Sequence, residues 1–459
     1  MNMLRWNKLT RTLALGAIFL GGSTREVAAD LYVTQVGDGA SSLSSASYAV
    51  SVKKFADAGG SELSSISLPT AVSGLNQPLT LSGSATSEGF ISLSTNGQYL
   101  TLGGYGVGTG TASVPQSTAA RVIGRIEVAT GTVDTTTALV DAYIGAPGDN
   151  GNFRSVTSTD GSKFWTTGTA FPSDSAGFRF ATFGATTSTA LTITPQPTNV
   201  RVANIIDGQL YGSSGSGAFR GVNQVGAGLP ETAIISPDAV TLLPGFSPAT
   251  DSPESAYDFW FKDANTLYVA DDRAAASGGG IQKWELSGGT WGLTYTLATG
   301  SGSGSGARGL AGKIDGGNAV LYATTTQNSA NNLISITDTG SGAAFSVLAT
   351  AATNTVFRGV EFVSGAVTPV DDADFDNNGV VDGADFLIWQ RGFAVGNSNA
   401  TGDADGNGVV NGADLTIWKS TFGGPPAVSA IGAVPEPASL TLAGLAAIFA
   451  TTAVARRRG

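Results

Sequence analysis

A turn followed by an aromatic-bearing strand recurs six times along this sequence, and that repeat restricts the fold more than any other feature. The copies are DLYVTQV at 30, NGQYLTLGG at 96, DGSKFWTTG at 160, DGQLYGSS at 207, ANTLYVADD at 264 and GNAVLYATT at 317. Each copy except the first follows a small apolar strand, and two further strands joined by a Gly turn come after most copies. Four short strands per unit, repeated about every 45 to 65 residues, predict a β-propeller.

The strand that the first copy lacks lies at the far end of the repeats. FRGVEFV at 357–363 has the same shape as FRSVTST at 153, but no aromatic strand follows it. In a closed ring, this last strand would complete the blade that begins at Asp30. We therefore predict an all-β domain over 30–366 with six blades. Seven blades are the chief variant, because the units near 110–150 and 212–250 are irregular, and a sandwich or jelly roll is the other all-β possibility.

Two acidic dodecamers follow the repeats: DFDNNGVVDGAD at 374–385 and DADGNGVVNGAD at 403–414. Side-chain oxygens fall at positions 1, 3, 5, 9 and 12, with Gly379 and Gly408 at position 6, which is the spacing of an EF-hand calcium loop. A backbone carbonyl at position 7 completes such a loop. The predicted ligands of two calcium ions are Asp374, Asp376, Asn378, Val380, Asp382 and Asp385 in the first loop, and Asp403, Asp405, Asn407, Val409, Asn411 and Asp414 in the second.

Each loop is followed by a short amphipathic run, FLIWQRGF or LTIWKSTFG, which predicts a helix. This repeated loop and helix resembles a type I dockerin over 371–423. The resemblance implies a calcium-stabilised module that docks into a cohesin-like receptor, partly through hydroxyls at loop positions 10 and 11. Those positions hold only Gly and Ala here (Gly383, Ala384, Gly412 and Ala413), so a calcium-rigidified spacer competes with the docking role. A solvated acidic turn without metal is the third reading.

The N-terminus predicts export. Residues 1–29 combine Arg5, Lys8 and Arg11 with the apolar stretch LALGAIFLGG and the small residues VAA before Asp30, as in a secretory signal peptide.

The C-terminus joins a Pro-Glu-Pro turn, an apolar run and three arginines, after a linker at 424–434. Residues 435–459 resemble a PEP-C-terminal sorting signal. The arginines would stay on the cytoplasmic side while the apolar helix spans the bilayer for a short time. The resemblance implies that an exosortase-type enzyme reads the turn and removes the tail; a permanent tail anchor is the alternative. The signal residues are Pro435, Glu436, Pro437, Arg456, Arg457 and Arg458.

The residue types present limit the chemistry. The chain has no His and no Cys, which excludes Ser-His-Asp and thiol catalysis and leaves carboxylate, Lys or Tyr chemistry. With 35 acidic residues against 24 basic ones, nucleic acid is not an expected partner. Four arginines recur near the starts of inner strands, where packing between blades is the favoured role and binding in the channel is the alternative. They are Arg154, Arg201, Arg308 and Arg358.

These observations predict an exported protein of the cell surface, outer envelope or extracellular matrix. Its propeller would bind or scaffold, with an extracellular polysaccharide or a cohesin-like receptor as partner, and its calcium module would dock or space it. No pair of acids stands in a recognisable catalytic motif, so a non-catalytic role is favoured. An exported carbohydrate-active enzyme, a hydrolase or a lyase, is the alternative.

Overall fold

The structure is a computed structural model that describes residues 29–145, 149–170, 175–191, 197–215, 217–234, 239–247, 254–364, 373–376, 378–396, 398–404 and 409–423. Two compact units divide the chain, the first containing the β-sheets and the second the two α-helices.

Six four-stranded antiparallel sheets form the blades of a propeller, and the strands of each blade are named from the innermost to the outermost. Blade 1 has β26 (Val356–Val363), β1 (Asp30–Val36), β3 (Val50–Ala56) and β4 (Ser64–Ser67). Blade 2 has β6 (Ile91–Leu93), β7 (Tyr99–Tyr105), β8 (Arg121–Glu127) and β9 (Val133–Leu139). Blade 3 has β10 (Phe153–Ser158), β11 (Lys163–Gly168), β12 (Gly177–Thr182) and β13 (Thr189–Ala190).

The other three blades follow in chain order. Blade 4 has β14 (Val200–Ile206), β15 (Gln209–Ser214), β16 (Gly221–Val225) and β17 (Val240–Leu242). Blade 5 has β18 (Ala256–Asp263), β19 (Thr266–Asp271), β20 (Gly280–Ser287) and β21 (Thr290–Leu297). Blade 6 has β22 (Ala307–Asp315), β23 (Asn318–Thr325), β24 (Asn332–Thr337) and β25 (Phe345–Thr350). A small extra sheet pairs β2 (Ser47–Tyr48) with β5 (Leu81–Ser82).

The ring closes as predicted. Strand β26 pairs antiparallel with β1, from Asp30 opposite Val363 to Val36 opposite Val356. The next blade comes close to β26 at Gly359, whose amide donates to the carbonyl of Gly89 at 3.1 Å. A Cβ at Gly359 would stand 2.5 Å from the Ile91 nitrogen, so only glycine fits this contact.

The described residues form six blades, so the seven-bladed variant is wrong. The two irregular units belong to blades 2 and 4. Blade 4 is harder to recognise in the sequence because β16 and β17 are short and a long connection separates them. Short strands carry too few alternating positions to show a period of two.

The core lies between neighbouring blades. Between blades 6 and 1, Leu31, Val33, Tyr322 and Leu333 form one buried cluster with Phe357. Similar clusters join blades 2 and 3, 3 and 4, 4 and 5, and 5 and 6. Burial of apolar area at these five interfaces, worth roughly 25 cal/mol per Å², makes the blades joined there depend on one another.

The second unit contains α1 (Gly383–Gly392) and α2 (Gly412–Thr421), one after each acidic dodecamer. Its small core packs Ala373, Phe375, Val381 and Ala404 against side chains of both helices, including Trp389 and Trp418. Among the residues that the structure describes, no helix has the length and apolar character needed to cross a bilayer. Residues 1–28 of the signal peptide predicted over 1–29, and the sorting tail at 435–459, lie outside the described residues.

Candidate functional site

Three of the predicted calcium ligands converge in the first acidic loop. One carboxylate oxygen from each of Asp374, Asp376 and Asp385 lies within 4.8 Å of the other two. Asp374 and Asp385 are buried, with 3% and 0% of their surface exposed. Carboxylates so close together repel one another unless a cation neutralises them.

The loop backbone sets this geometry. Asp374 accepts hydrogen bonds from the amides of Asn378 at 3.0 Å and Gly379 at 2.9 Å. Asp385 accepts from the amides of Phe375 at 2.7 Å and Asp382 at 2.8 Å. Gly379 has φ = +90°, a conformation that glycine adopts without strain and that turns the chain at loop position 6.

Asp382, the remaining first-loop carboxylate, is not in the cluster of three, whereas the Asn378 side-chain amide donates to Asp376 at 3.0 Å. Asp382 is the N-cap of α1, where its Oδ1 accepts from the Ala384 amide at 2.7 Å and forms a capping box with Asp385. The side chain of Asn378 accepts from the Val380 amide at 2.9 Å. Position 9 of a calcium loop often acts through water, so capping by Asp382 is compatible with that position.

The second loop repeats the hydrogen bonds of the first where the structure describes it; Asp405 and Asn407 lie outside the described residues. Asp414 is fully buried and accepts from the amides of Ala404 at 2.8 Å and Asn411 at 2.7 Å. Asn411 caps α2 by accepting from the Ala413 amide at 2.7 Å, as Asp382 caps α1. Asp403 is also buried, whereas Val409 is exposed and its carbonyl accepts from the Asn411 side chain at 3.1 Å.

These donor sets fit calcium. They are built from carboxylate, amide and backbone oxygens, the hard ligands that Ca²⁺ prefers, and the two loops contain neither imidazole nor thiolate. The first loop brings Asp374, Asp376 and Asp385 around one point. Calcium bound there would neutralise them and fix the start of α1.

In the propeller, the four inner-strand arginines lie around the mouth of the channel with two aromatic residues. Phe90 and Tyr257 come from opposite blades, and their ring centroids are 6.0 Å apart. The guanidinium carbon of Arg201 lies 3.8 Å from the Tyr257 ring centroid, and that of Arg308 lies 5.8 Å from it. Arg201 also donates to the Ala256 carbonyl of the next blade at 2.7 Å, and Arg154 donates to the Val200 carbonyl of its next blade at 3.1 Å. These bonds support the favoured role of packing between blades, and the contacts with Tyr257 place Arg201 and Arg308 beside the channel mouth as well.

Three buried acids of the inner ring were missed by sequence reasoning. Burial raises the pKa of Asp258 to about 8, although Leu310, Phe259 and Asn204 all donate to its carboxylate. Burial also raises the pKa of Glu361 to about 7, and the Glu361 charge contributes to the shift of Asp258. These two residues stand in β18 and β26, and no local motif marks either of them.

The third missed acid is Glu88, which is fully buried beside the channel mouth. Tyr105 donates its hydroxyl to Glu88, Asn152 donates at 2.5 Å and the Ser82 amide at 3.0 Å. Burial raises the pKa of the Glu88 carboxyl in spite of these donors. Its lack of exposure makes it a structural acid of the blade interface.

Several solved structures are similar to this chain at low identity. A nidogen/laminin complex structure matches 74% of this chain and 100% of its own, with 12% identity and a TM-score of 0.42. A protein from Lactobacillus plantarum matches 74% of this chain and 86% of its own, with 12% identity and a TM-score of 0.42. A hypothetical selenium-binding protein from Sulfolobus tokodaii matches 74% and 94%, with 9% identity and a TM-score of 0.38. No curated protein sequence matches this chain.

The prediction of a C-terminal sorting signal is confirmed by a family model. Residues 433–458 match the PEP-CTERM protein-sorting motif, which covers the predicted signal from Pro435 to Arg458. Such motifs are processed by exosortase, in agreement with the predicted processing enzyme. The chain is thus an exported β-propeller protein with a PEP-CTERM signal that directs it to the cell envelope.

Proposed function

We propose that the propeller is a non-catalytic binding domain for an extracellular polysaccharide, and that the loop–helix unit is a module ordered by two calcium ions. The observation that carries the binding role is the channel mouth. In the described part of the chain, Nε of Arg154, Arg308 and Arg358 and Nη1 of Arg358 have no hydrogen-bond partner, although each of these arginines makes another hydrogen bond. The buried acids Glu88 and Asp258 are engaged by several protein donors each. Available donors favour recognition, and engaged acids are not placed to exchange protons with a substrate.

The calcium module serves as a spacer or a docking element next to the sorted tail. Gly and Ala at loop positions 10 and 11 offer no hydroxyl, so a rigid spacer is the role that the sequence of this module supports better. A cohesin-like receptor stays the alternative partner. Retention at the envelope would raise the effective concentration of a weakly binding propeller near its ligand.

The test is incubation of the full-length protein with a panel of extracellular polysaccharides, with two measurements on each. Retention on the polymer reports binding, and release of reducing or unsaturated ends reports cleavage. Binding without cleavage is the expected result. Failure to bind any polysaccharide would contradict the proposed ligand class and favour a protein receptor.

One observation favours the alternative function, a carbohydrate-active enzyme. Asp258 and Glu361 have pKa values raised to about 8 and about 7, the range in which carboxyl groups act as general acids. Cleavage that disappears in both Asp258→Asn and Glu361→Gln, while the Asp263→Asn control stays active, would establish the enzyme in place of the binding protein.

A further inference from the structure

Each blade contributes one residue near the start of its inner strand to the mouth of the channel. Blades 2 and 5 contribute Phe90 and Tyr257, which are 1% and 4% exposed and close the centre. The other four blades each contribute one of the four inner-strand arginines. These are Arg154, Arg201, Arg308 and Arg358.

The arginines are close enough to affect one another. Burial, and then the charge of Arg308, lowers the pKa of Arg358 to about 10. Burial and the charge of Arg201 lower the pKa of Arg154 in the same way. Both arginines stay protonated at neutral pH, so the mouth concentrates positive charge.

Two carboxylates oppose this charge in part. Asp272 lies 3.7 Å from Nε of Arg308. Glu88 interacts with Arg154 and Arg358, but burial shifts it towards its neutral form. Four guanidinium groups against these two acids leave an excess of positive charge, which attracts anions.

Arg358 is a buried arginine with unpaired hydrogen-bond donors in the described part of the chain. Only 3% of it is exposed, and its Nη2 donates to the Gly83 carbonyl at 2.9 Å. Within the described ranges, its Nε and Nη1 have no hydrogen-bond partner. A buried donor without a partner destabilises the folded state, and the cost is larger when the group is charged.

A pocket adjoins this side chain. It has a volume of about 160 Å³ and is lined by Arg358 and by Leu43, Gly83, Ser84, Thr86 and Asn328. Ser84 and Asn328 are exposed at its rim, where a hydroxyl and an amide can meet sugar hydroxyl groups. The pocket therefore combines a buried cation with a polar entrance.

We propose that this pocket binds the carboxylate of an acidic polysaccharide, with Arg358 as the residue that holds the carboxylate and Arg308 adding charge. This inference rests on the proposed binding function and narrows it to uronic acid polymers. An oxyanion at Arg358 would satisfy donors that the protein leaves open, and charge-assisted hydrogen bonds of this kind are the stronger ones.

The experiment is calorimetric titration of the full-length protein at low salt with three probes: a uronic acid oligosaccharide, a neutral glucose oligosaccharide of the same length, and sulfate. We expect the uronic acid probe to bind at least tenfold more tightly than either of the others. Arg358→Gln should weaken its binding roughly 10- to 100-fold, the loss expected for a charged hydrogen bond. Lys163→Gln removes one positive charge from an exposed site in blade 3 and should leave the affinity for the uronic acid probe unchanged.

A second pair of variants avoids the buried core, in case Arg358→Gln does not fold. Ser84 is exposed at the pocket rim, so Ser84→Glu and Ser84→Gln differ only by a charge. Ser84→Glu should bind the uronic acid probe several-fold more weakly than Ser84→Gln, with the difference shrinking as salt is added.

Three outcomes would overturn the proposal. Equal affinity for charged and neutral probes would show that no carboxylate is recognised. Uronic acid binding unchanged by Arg358→Gln and by Ser84→Glu would place the site elsewhere, while the binding function itself would survive. Sulfate binding as tightly as the uronic acid probe would reduce the pocket to a simple anion site.

Discussion

The indole nitrogen of Trp418 donates a hydrogen bond to the backbone carbonyl of Asp382 at 2.9 Å. Trp389 makes the matching bond to the carbonyl of Asn411, also at 2.9 Å. Each helix of the second unit thereby holds position 9 of the other repeat's loop. Because Asp382 and Asn411 are also the helix N-caps, the two loops and two helices form one cooperative pair.

Trp418→Phe removes the N–H donor and keeps an aromatic ring in the core. We expect the second unit to lose about 1 kcal/mol of stability, the usual net value of one hydrogen bond. Calcium affinity should fall at the first loop, where the bond ends. Denaturant unfolding and calcium titration of the full-length protein measure both effects. The control is Leu387→Ala, at a side chain that is 47% exposed; an equal loss there would remove the role assigned to the indole N–H.

Calcium binding should occur with two ions per chain. The double variant Asp374→Ala, Asp403→Ala should abolish it, since both residues are buried at loop position 1. Asn411→Ala should weaken binding less and should cost about 1 kcal/mol through the lost helix cap. Calcium at 100 times its dissociation constant should stabilise the unit by about 2.7 kcal/mol per ion. A calorimetric titration without heat, together with identical melting in calcium and chelator, would argue for a metal-free acidic turn.

Ring closure predicts that the last strand is essential. A chain ending at Gly340 lacks β25 and β26, which leaves β1 without its inner partner and removes the buried side chain of Phe357. It should lose cooperative unfolding, whereas a chain ending near Pro369 should keep it. Calorimetry of the two truncated chains makes the comparison. Similar melting of both would contradict the closure by β26.

The pKa of Asp258 predicts how stability depends on pH. Because burial raises its folded pKa to about 8 from an ordinary value of 3.8, the folded state holds the proton more tightly than the unfolded chain does. The tightly held proton therefore adds to the free energy of unfolding. This stabilisation is fully present below about pH 4 and is lost as the pH rises towards 8, by up to about 1.4 kcal/mol per pH unit. Glu361 adds to the loss up to about pH 7.

Asp258→Asn cannot ionise, so its free energy of unfolding should change less between pH 5 and 8 than that of the wild type. Denaturant melts with chelator present keep calcium out of the measurement. Asp263→Asn, at the exposed end of the same strand, is the control and should keep the wild-type slope. If the free energy of unfolding of all three proteins changed with pH at the same slope, the pKa of Asp258 would not be raised in the folded state.

Export should be followed by loss of the C-terminal tail. The PEP-CTERM motif at 433–458 motivates this expectation. Mass spectrometry of the surface or matrix form should detect peptides from the propeller and none from 440–459. Recovery of the intact tail from that form would indicate a permanent anchor.

The sequence alone determined the features that depend on neighbouring residues. The six turn-and-strand signatures gave the number of blades, since alternation and turn residues act over a few positions. The resemblance of FRGVEFV to FRSVTST gave the closing strand, confirmed by the pairing of β26 with β1. In the first acidic loop, Gly379 lies at the turn where the spacing placed it.

Tertiary structure alone decided which distant residues meet. Asp258 and Glu361 share the inner ring, and Arg358 comes beside Gly83, although these pairs are far apart in the chain. The pKa shifts of the two acids arise from desolvation, and the donors of Arg358 stay unpaired because no acceptor among the described residues reaches them. Both effects depend on everything packed around a group and have no period along the chain. Tertiary structure also decides that the indoles of Trp389 and Trp418 each bond to the loop of the other repeat. The sequence of one repeat does not show which carbonyl its indole will reach.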